Sequence, residues 1–306
     1  MRRHSIPAMK RHLLPVFFAV ATLANLPQLC LGWGQDGHRI TAEIAERNLT
    51  PTALAETRKI LGNESLAEIA TWADEIRSDP TWDFAKAYHF ISINDEETWE
   101  NVERVDEEEG DLLYILETLE RYLRDPDSET FLLKGVSPGK SSRLKAKVER
   151  EITRRDVLAF YVHFVGDLHQ PLHVGRREEQ GGNRIKVLWF DAEENLHSVW
   201  DEDLIESTNL SYTEFATFLN RLTKEDRKKA AAGSYLDWAK ESKEVREQVY
   251  DFGPQRSNYY LNVVDPPKLG YDYKSKNLPL VRDRLQKGGI RLAALLNEIF
   301  SEETEK

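Results

Sequence analysis

The segment from Arg154 to Leu168 constrains the fold more than any other part of the chain, because its residues are apolar on most sides of a helical period. A surface helix needs only one apolar stripe, so a helix that is apolar nearly all round is predicted to be buried. Pro171 cannot continue such a helix, which must therefore end before it. We predict a central helix around which the other elements pack.

Most of the remaining chain also indicates helices, with an apolar period near 3.6 residues and with Pro, Gly and Ser/Thr at the expected ends. The predicted helices begin at Thr50-Pro51 and end at Gly62, begin at Ser65 and run through Trp72 and Ile76, extend from Leu112 to Leu123, and close the chain through Leu292 and Phe300. The predicted fold class is therefore all-α.

One stretch departs from the helical pattern. Residues 184–190 are rich in β-branched and aromatic side chains, and a polar segment, 191–195, follows them before Leu196 to Trp200. Such runs are typical of strands. We expect a small β-hairpin here within the helical domain.

The first 32 residues differ in kind from the rest. Basic side chains at Arg2, Arg3, Lys10 and Arg11 precede an apolar run that is short for a membrane span, and Gly32 ends a small-residue cleavage site. We predict a signal peptide over residues 1–32 and one domain over 33–306, secreted or periplasmic and with no transmembrane anchor. Its removal would take the formal net charge of −11 to −15, because four basic residues and no acidic residue leave.

Four of the eight histidines lie within 35 residues of one another, between His163 and His197, and His163 is four residues from Asp167 on the predicted central helix. At that spacing both side chains share one face, about 5–6 Å apart, so one cation can bridge them. A lone pair of this kind also fits a surface ion pair or a core histidine. The spacing recurs at His197 and Asp201, however, and His173 follows soon after Pro171. Imidazole and carboxylate without thiolate favour catalytic zinc.

These residues belong to a longer series of motifs, and with it the chain resembles the zinc-dependent, single-strand-specific nucleases and 3′-nucleotidases called type I nucleases, typified by mung bean nuclease. The resemblance covers most of residues 33–306 and implies a mainly helical scaffold of the kind shared with zinc phospholipases C. The motifs are Trp33-Gly-x-x-Gly-His38, Trp72-Ala-Asp74-x-x-Arg77, Tyr88-His89-Phe90, His163-x-x-x-Asp167-x-His-Gln-Pro-Leu-His173, Gly181-Gly-Asn183 and Asn195-Leu-His197-x-x-Trp-Asp201.

The resemblance implies three zinc ions in each chain. Their expected ligands are Asp74, His89, His163 and Asp167 for the first ion; the α-amine and carbonyl oxygen of Trp33 with His38 and Asp167 for the second; and His173, His197 and Asp201 for the third. Asp167 would bridge the first two ions. His169 matches its motif without carrying a metal in the family pattern, so we expect it in the core or behind a ligand.

The same resemblance implies the chemistry and the substrate. Asp74 would orient the attacking water and Arg77 would neutralise the phosphoryl oxygens, which makes these two the expected catalytic residues. Phe90 is the expected stacking platform for a base, and Asn183 is expected to bind near the phosphate or the base. The expected activity is endonucleolytic hydrolysis of single-stranded DNA and RNA to 5′-phosphorylated products, together with 3′-nucleotidase activity and with no obligate protein partner.

Two other functions fit part of the pattern. A zinc phospholipase C uses a similar scaffold, but that family carries Glu where Asp201 stands and has a longer gap than the one between Trp33 and His38. A secreted, non-enzymatic zinc-binding protein would need the ligands but would have no use for Arg77, Phe90 or Asn183.

Overall fold

The computed structural model describes residues 33–102, 110–138, 145–253 and 266–301. The predicted signal peptide lies outside these residues. The α-helices are α1 (Gln35–Glu46), α2 (Pro51–Leu61), α3 (Leu66–Ile69), α4 (Trp72–Glu75), α5 (Leu112–Leu123), α6 (Arg154–Leu168), α7 (Leu196–Ser198), α8 (Leu204–Glu206), α9 (Tyr212–Leu219), α10 (Lys224–Ala231), α11 (Tyr235–Val249) and α12 (Tyr271–Ile299).

Short 3₁₀ segments cover Ile76–Ser78, Pro80–His89 and Pro171–His173, and one turn of π-helix covers Val199–Asp203. The strands are β1 (Ile91–Ser92), β2 (Thr130–Pro138), β3 (Lys145–Thr153), β4 (Val174–Gly175), β5 (Lys186–Trp189), β6 (Ala192–Asn195) and β7 (Lys268–Leu269). Together with the helices they confirm the predicted mainly helical fold. No helix within the described residues is long and apolar enough to cross a bilayer.

Helix α6 is the buried centre that the sequence predicts. Every residue from Val157 to Leu168 is buried, and α6 packs against α1, α4, α5, α11 and α12. Its start is fixed by a reciprocal cap, in which the Thr153 hydroxyl accepts from the Asp156 N–H and the Asp156 carboxylate accepts from the Thr153 N–H. The predicted bounds of α2 and α5 are confirmed as well.

The helix predicted from Ser65 through Ile76 is wrong as a single element. Ser65 caps a helix, but α3 ends at Ile69 and a new turn begins at Trp72. In an unbroken helix the Ala70 carbonyl would accept from the Asp74 N–H four residues on. Here that N–H donates to Thr71 O at 3.1 Å, and Ala70 O accepts from the ring of His163 at 2.7 Å. The break therefore supplies a hydrogen-bond acceptor to the central helix.

The expected hairpin is present in a modified form. Strands β5 and β6 pair antiparallel, so the polar segment after residue 190 is itself the returning strand, and Leu196 opens α7 instead. Phe190 and Asp191 turn the chain with φ of 47° and 68°. The parallel strand β7 extends this sheet.

A second hairpin, β2–β3, was not predicted from the sequence. Its nine-residue strands pair antiparallel from Thr130↔Thr153 to Pro138↔Lys145. The alternation along β2 buries Phe131 and Leu133, as a strand with one solvated face requires. The Tyr88 hydroxyl donates to Lys134 O at 2.6 Å, which ties this hairpin to the segment that ends at His89.

A buried ionic network fastens α11 and α12 to the C-terminal end of α6. Arg291 donates to both carboxylate oxygens of Glu241 at 2.7 and 2.8 Å, and Arg284 donates to Glu241 at 2.9 Å. Arg284 also donates to His169 O at 3.0 Å and to the Ser242 hydroxyl at 2.7 Å. Burial alone would raise the pKa of Glu241, but its bonds to Arg291 and Arg284 lower that pKa to about 2.

We expect Glu241→Gln to lower the free energy of unfolding at neutral pH by about 2–3 kcal/mol, because two buried guanidinium groups lose their counter-charge. Urea unfolding of the metal-saturated protein measures this loss.

Because the native pKa lies below the usual 4.5, the contribution of Glu241 is complete above pH 4.5 and declines as the pH falls towards 2. The difference between the two proteins should shrink over that range. Asp251→Asn, which removes an exposed partner of Lys276, is the control and should change little. Equal effects of the two substitutions would contradict the assignment.

Candidate metal centre

Histidine and aspartate side chains from separate parts of the chain converge into three groups, each with potential ligand atoms within 4.8 Å of one another. The three groups together contain every side-chain ligand that the resemblance implies. They are His38, His163 and Asp167; Asp74, His89 and His163; and His173, His197 and Asp201.

Asp167, on the last turn of α6, lies at the centre of the first two groups. Its Oδ1 is 3.4 Å from His38 Nε2, and its Oδ2 is 3.0 Å from His89 Nδ1 and 3.3 Å from His163 Nε2. His163 Nε2 is in turn 3.9 Å from Asp74 Oδ1. One buried carboxylate thus presents a different oxygen to each of two neighbouring groups, as a carboxylate that bridges two cations must.

Hydrogen bonds to the backbone set the orientation of three imidazole rings. The Nδ1 atoms of His163, His173 and His197 lie 2.7, 2.6 and 2.5 Å from the carbonyl oxygens of Ala70, His89 and Gly181 respectively. A carbonyl can only accept, so Nδ1 carries a proton and donates it, and Nε2 is the ring nitrogen left to face a cation. This arrangement is typical of metal-binding histidines.

His169 differs from the other buried histidines. Its Nδ1 donates to Val165 O at 2.7 Å, and its Nε2 accepts from Arg291 at 3.0 Å. Both ring nitrogens are therefore engaged by the protein, and no lone pair remains for a cation. This geometry agrees with the core role expected for His169.

Several buried polar atoms of these groups have no hydrogen-bond partner within the described residues. They are both ring nitrogens of His38, Nε2 of His173 and His197, and one carboxylate oxygen each of Asp167 and Asp201. Burial also lowers the pKa values of His38, His89 and His173 well below the usual value, so these rings are neutral, and it raises the pKa values of Asp167 and Asp201. Buried polar atoms normally have a hydrogen-bond partner. Buried nitrogen and oxygen atoms that face one another without such a partner are the arrangement expected around bound cations.

Close packing of α1 on α6 places His38 beside His163 and Asp167. The His38 and His163 rings stack with centroids 3.7 Å apart. A Cβ atom at Gly166 would lie 2.9 Å from His38 Nδ1, which is closer than such atoms approach. Trp33, just before α1, is fully buried, and the neighbouring Gly34 N–H donates to Asp201 O at 3.0 Å. The start of the described chain therefore lies against the last ligand segment.

A cleft of about 420 Å³ opens beside His173 and His197. The half-buried ring of Phe90 and the side chain of Asn183 both line it, together with Ser92, Arg177 and Gln180. The parallel pair β1–β4 joins the two walls, because β1 follows Phe90 and β4 follows His173. A larger hollow of about 830 Å³ near Arg124 and Phe300 contains none of the ligand residues, so size alone does not mark the site.

Arg77 and Asp74 lie side by side at the edge of the first groups. Arg77 donates to Asp74 Oδ1 at 3.2 Å, and both side chains are partly exposed. The guanidinium is therefore close to a potential metal ligand and in contact with solvent.

Comparisons with known proteins agree with this geometry. The family model described as S1/P1 Nuclease matches residues 33–301. The chain belongs to the S1/P1 nuclease family. Nuclease S1 of Aspergillus oryzae is 31% identical over 312 residues, covering 95% of this chain and 98% of that protein. Endonuclease 3 of Arabidopsis thaliana is 30% identical over 299 residues (92% and 94%), and nuclease P1 of Penicillium citrinum is 27% identical over 293 residues (90% and 100%).

Membership of the S1/P1 family confirms the resemblance seen in the sequence and makes the chain a nuclease, a metal-dependent hydrolase of phosphodiester bonds. The donor set of this S1/P1 nuclease fits that dependence, because its unsatisfied nitrogen and carboxylate atoms are the ligands that catalytic transition metals take.

Sequence reasoning missed three polar residues of this S1/P1 site. Arg177 and Gln180 line the cleft, and Gln170 hydrogen-bonds Asp201. Gln180 adjoins Gly181 and Gln170 adjoins Pro171, which was the available signal for these two, since glycines and prolines mark turns. Arg177 had no such signal. Only the fold shows which way their side chains lie.

We expect Gly166→Ala to reduce the amount of metal bound at the group of His38, His163 and Asp167, although alanine is the better helix former by about 1 kcal/mol. The added methyl group displaces the His38 ring, which is packed against His163 and has no space to move. Metal analysis of the purified protein measures the change. Gly288→Ala is the matched control, because its methyl group meets Thr41 at 3.3 Å and not a ligand. Full metal content in Gly166→Ala would contradict this reason for the glycine.

Proposed function

We propose that this S1/P1 nuclease is a secreted or periplasmic, zinc-dependent endonuclease that cuts single-stranded DNA and RNA to 5′-phosphorylated products and also removes the phosphate of 3′-nucleotides. The observation that carries the proposal is the convergence of three imidazole–carboxylate groups, the third of which borders a cleft lined by an aromatic ring.

The proposed ligands follow the three groups. Asp74, His89, His163 and Asp167 would hold the first zinc; His38, Asp167 and the main-chain amine and carbonyl of Trp33 the second; and His173, His197 and Asp201 the third. Thiolates would favour a structural site, whereas imidazole and carboxylate with open positions favour a catalytic one. The one cysteine of the chain, Cys30, lies in the predicted signal peptide.

When bound, the zinc ions supply positive charge that acidifies the attacking water and screens the anionic phosphodiester. The protein side chains do the remaining work. Asp167 fixes the spacing of two ligand sets through its two oxygens, Asp74 orients the water at the exposed edge, and Arg77 donates to the phosphoryl oxygens as their charge rises. The short distance between Arg77 and Asp74, 3.2 Å, supports this division of roles.

The cleft supports a preference for single strands. A base can stack on Phe90 only when it is free of its own duplex stack, and stacking on an aromatic side chain is worth about 1–3 kcal/mol per base. Asn183 lies on the same cleft, although its amide is already bound to Gln180 O at 2.8 Å. We therefore expect Asn183 to shape the loop as well as to contact the substrate.

Charge does not oppose the proposal. The formal net charge of −11 is unusual for a protein that binds polyanions, but three divalent ions add six positive charges at the site itself. The local field in a cleft, more than the total charge, steers an ionic substrate.

The first experiment is digestion of matched single-stranded and double-stranded DNA by the purified, zinc-loaded protein. We expect rapid cutting of the single strand, 5′-phosphate termini, and loss of activity after exhaustive chelation that zinc restores. Termini with 3′-phosphate, or undiminished cutting without metal, would exclude the proposed mechanism.

Two histidine variants provide a matched internal comparison. His197→Ala removes a proposed ligand and should lose one zinc and most of the activity, by a factor of about 100 or more. His169→Ala removes a core contact to Arg291 and should lose stability while it keeps its zinc content.

The non-enzymatic alternative predicts that Arg77→Ala, Phe90→Ala and Asn183→Ala bind zinc normally and that the unchanged protein has no activity to lose. A zinc phospholipase C would hydrolyse phospholipid in place of DNA.

We further propose that removal of residues 1–32 is what makes the second zinc site complete. The match to the family begins at Trp33, which is fully buried, and the adjoining Gly34 is hydrogen-bonded to the backbone of both His38 and Asp201. A free α-amine has a pKa of about 7.7–8.0 and can give its lone pair to a metal. An amide nitrogen cannot do so at neutral pH, because its lone pair is delocalised into the carbonyl.

A protein with residues before Trp33 should therefore bind one zinc fewer and cut single-stranded DNA more slowly by orders of magnitude. The measurement compares residues 33–306 behind a cleavable tag before and after the tag is removed to leave Trp33 first. Equal zinc content and equal rates in the two forms would show that the main chain of Trp33 is not a ligand.

A further inference from the structure

Gln170 lies at the junction between the central helix and the turn that carries His173. The side chain is fully buried, and it caps the 3₁₀ turn Pro171–His173. A fully buried amide must use both of its polar atoms inside the protein, because water cannot satisfy them.

The two polar atoms of Gln170 join two segments that carry ligands. Oε1 accepts from the Leu172 N–H at 2.5 Å, and Nε2 donates to Asp201 Oδ1 at 2.6 Å. The Gln170 carbonyl also accepts from the His173 N–H at 3.0 Å. The same residue thus contacts the segment of His173 and the side chain of Asp201.

The orientation of the amide is fixed by its partners. The Leu172 N–H can only donate, so the oxygen of the amide must face it and the nitrogen must face Asp201. Asp201 Oδ1 is therefore occupied as a hydrogen-bond acceptor. Asp201 Oδ2 remains without a hydrogen-bond partner, 3.1 Å from His197 Nε2, which also has none.

We propose that Gln170 is a positioning residue for the cation held by His173, His197 and Asp201: it reserves one oxygen of Asp201, turns the other towards His197, and holds the His173 turn in place. This inference rests on the third metal ion of the proposed function. It assigns Gln170 no contact with the substrate or with the ion.

Gln170→Glu tests the inference with almost no change in size. One oxygen of the carboxylate introduced at position 170 can still accept from the Leu172 N–H. Its other oxygen then faces Asp201 Oδ1, so two hydrogen-bond acceptors meet where a hydrogen bond was. We expect the free zinc concentration needed to fill the third site to rise about 10- to 100-fold, as for other partners of metal ligands. The readout is zinc bound per chain after equilibration against buffered free zinc, with circular dichroism as the check on folding.

Two further variants separate positioning from general destabilisation. Gln170→Met keeps the length of the side chain, adds no charge and removes both side-chain hydrogen bonds. It should therefore lower the affinity for the same single ion. Asn277→Asp makes the same change from amide to acid at another fully buried position, where the amide donates to Tyr273 O at 3.0 Å, and it should retain three ions.

Combination with His197→Ala identifies which ion depends on Gln170. If the third ion is the one concerned, the double variant Gln170→Glu/His197→Ala should hold two ions, as His197→Ala alone does, because the two changes affect one site. Fewer ions in the double variant, or three ions at unchanged free zinc in Gln170→Glu, would overturn this inference and leave the proposed function intact. Two ions in the unchanged protein would overturn the third-site assignment and this inference together.

Discussion

The buried carboxylate of Asp167 is the constraint on which the rest of the structure depends. Asp167 is fully buried at the end of a helix that is itself buried, and its two oxygens face His38 on one side and His89 and His163 on the other. An isolated charge in such surroundings is strongly unfavourable, and burial raises the pKa of Asp167 to about 7. Cations held by these side chains would compensate that charge, and an S1/P1 nuclease depends on metal for its activity. Stability and chemistry are therefore coupled at one residue.

The surrounding fold serves to hold that carboxylate and its neighbours in place. The chain breaks between α3 and α4 so that the Ala70 carbonyl can accept from His163, and Gly166 leaves room for His38. The network of Glu241, Arg284 and Arg291 fixes the far end of α6 through His169 and Ser242. None of these features follows from the helix propensity of the residues involved. Each is explained by a contact to the central helix. Since residues 33–306 contain no cysteine, bound metal would also serve as the cross-link between α1, α6 and α7.

The three groups are supported in different ways. The group of His38, His163 and Asp167 is held by the packing of α1 on α6, whereas the third group combines a short turn, Pro171–His173, with a π-helical segment that carries Asp201. Short irregular segments have few backbone hydrogen bonds of their own, so side chains must fix them. Gln170 does so for both segments at once, and the loop at Gly181 does so for His197. The cleft with Phe90 opens beside this third group, where the substrate would be held.

The sequence by itself determined the central helix, the helices that end at Gly62 and Leu123, and the pairs His163–Asp167 and His197–Asp201, because apolar periodicity, caps and four-residue spacings are local properties. It also gave the family, through motifs whose order is as specific as their residues. His38, Asp74 and His89 were expected only from the family resemblance. Only the tertiary structure decided the β2–β3 hairpin, the break after Ile69, the ring nitrogens that His163, His173 and His197 present, and the contacts of Gln170. These features depend on partners that are far apart in sequence: Ala70 and His163 are 93 residues apart, and Gln170 and Asp201 are 31 apart. A local pattern carries no information about which distant carbonyl, carboxylate or ring will occupy the neighbouring space, and that is set when the helices pack.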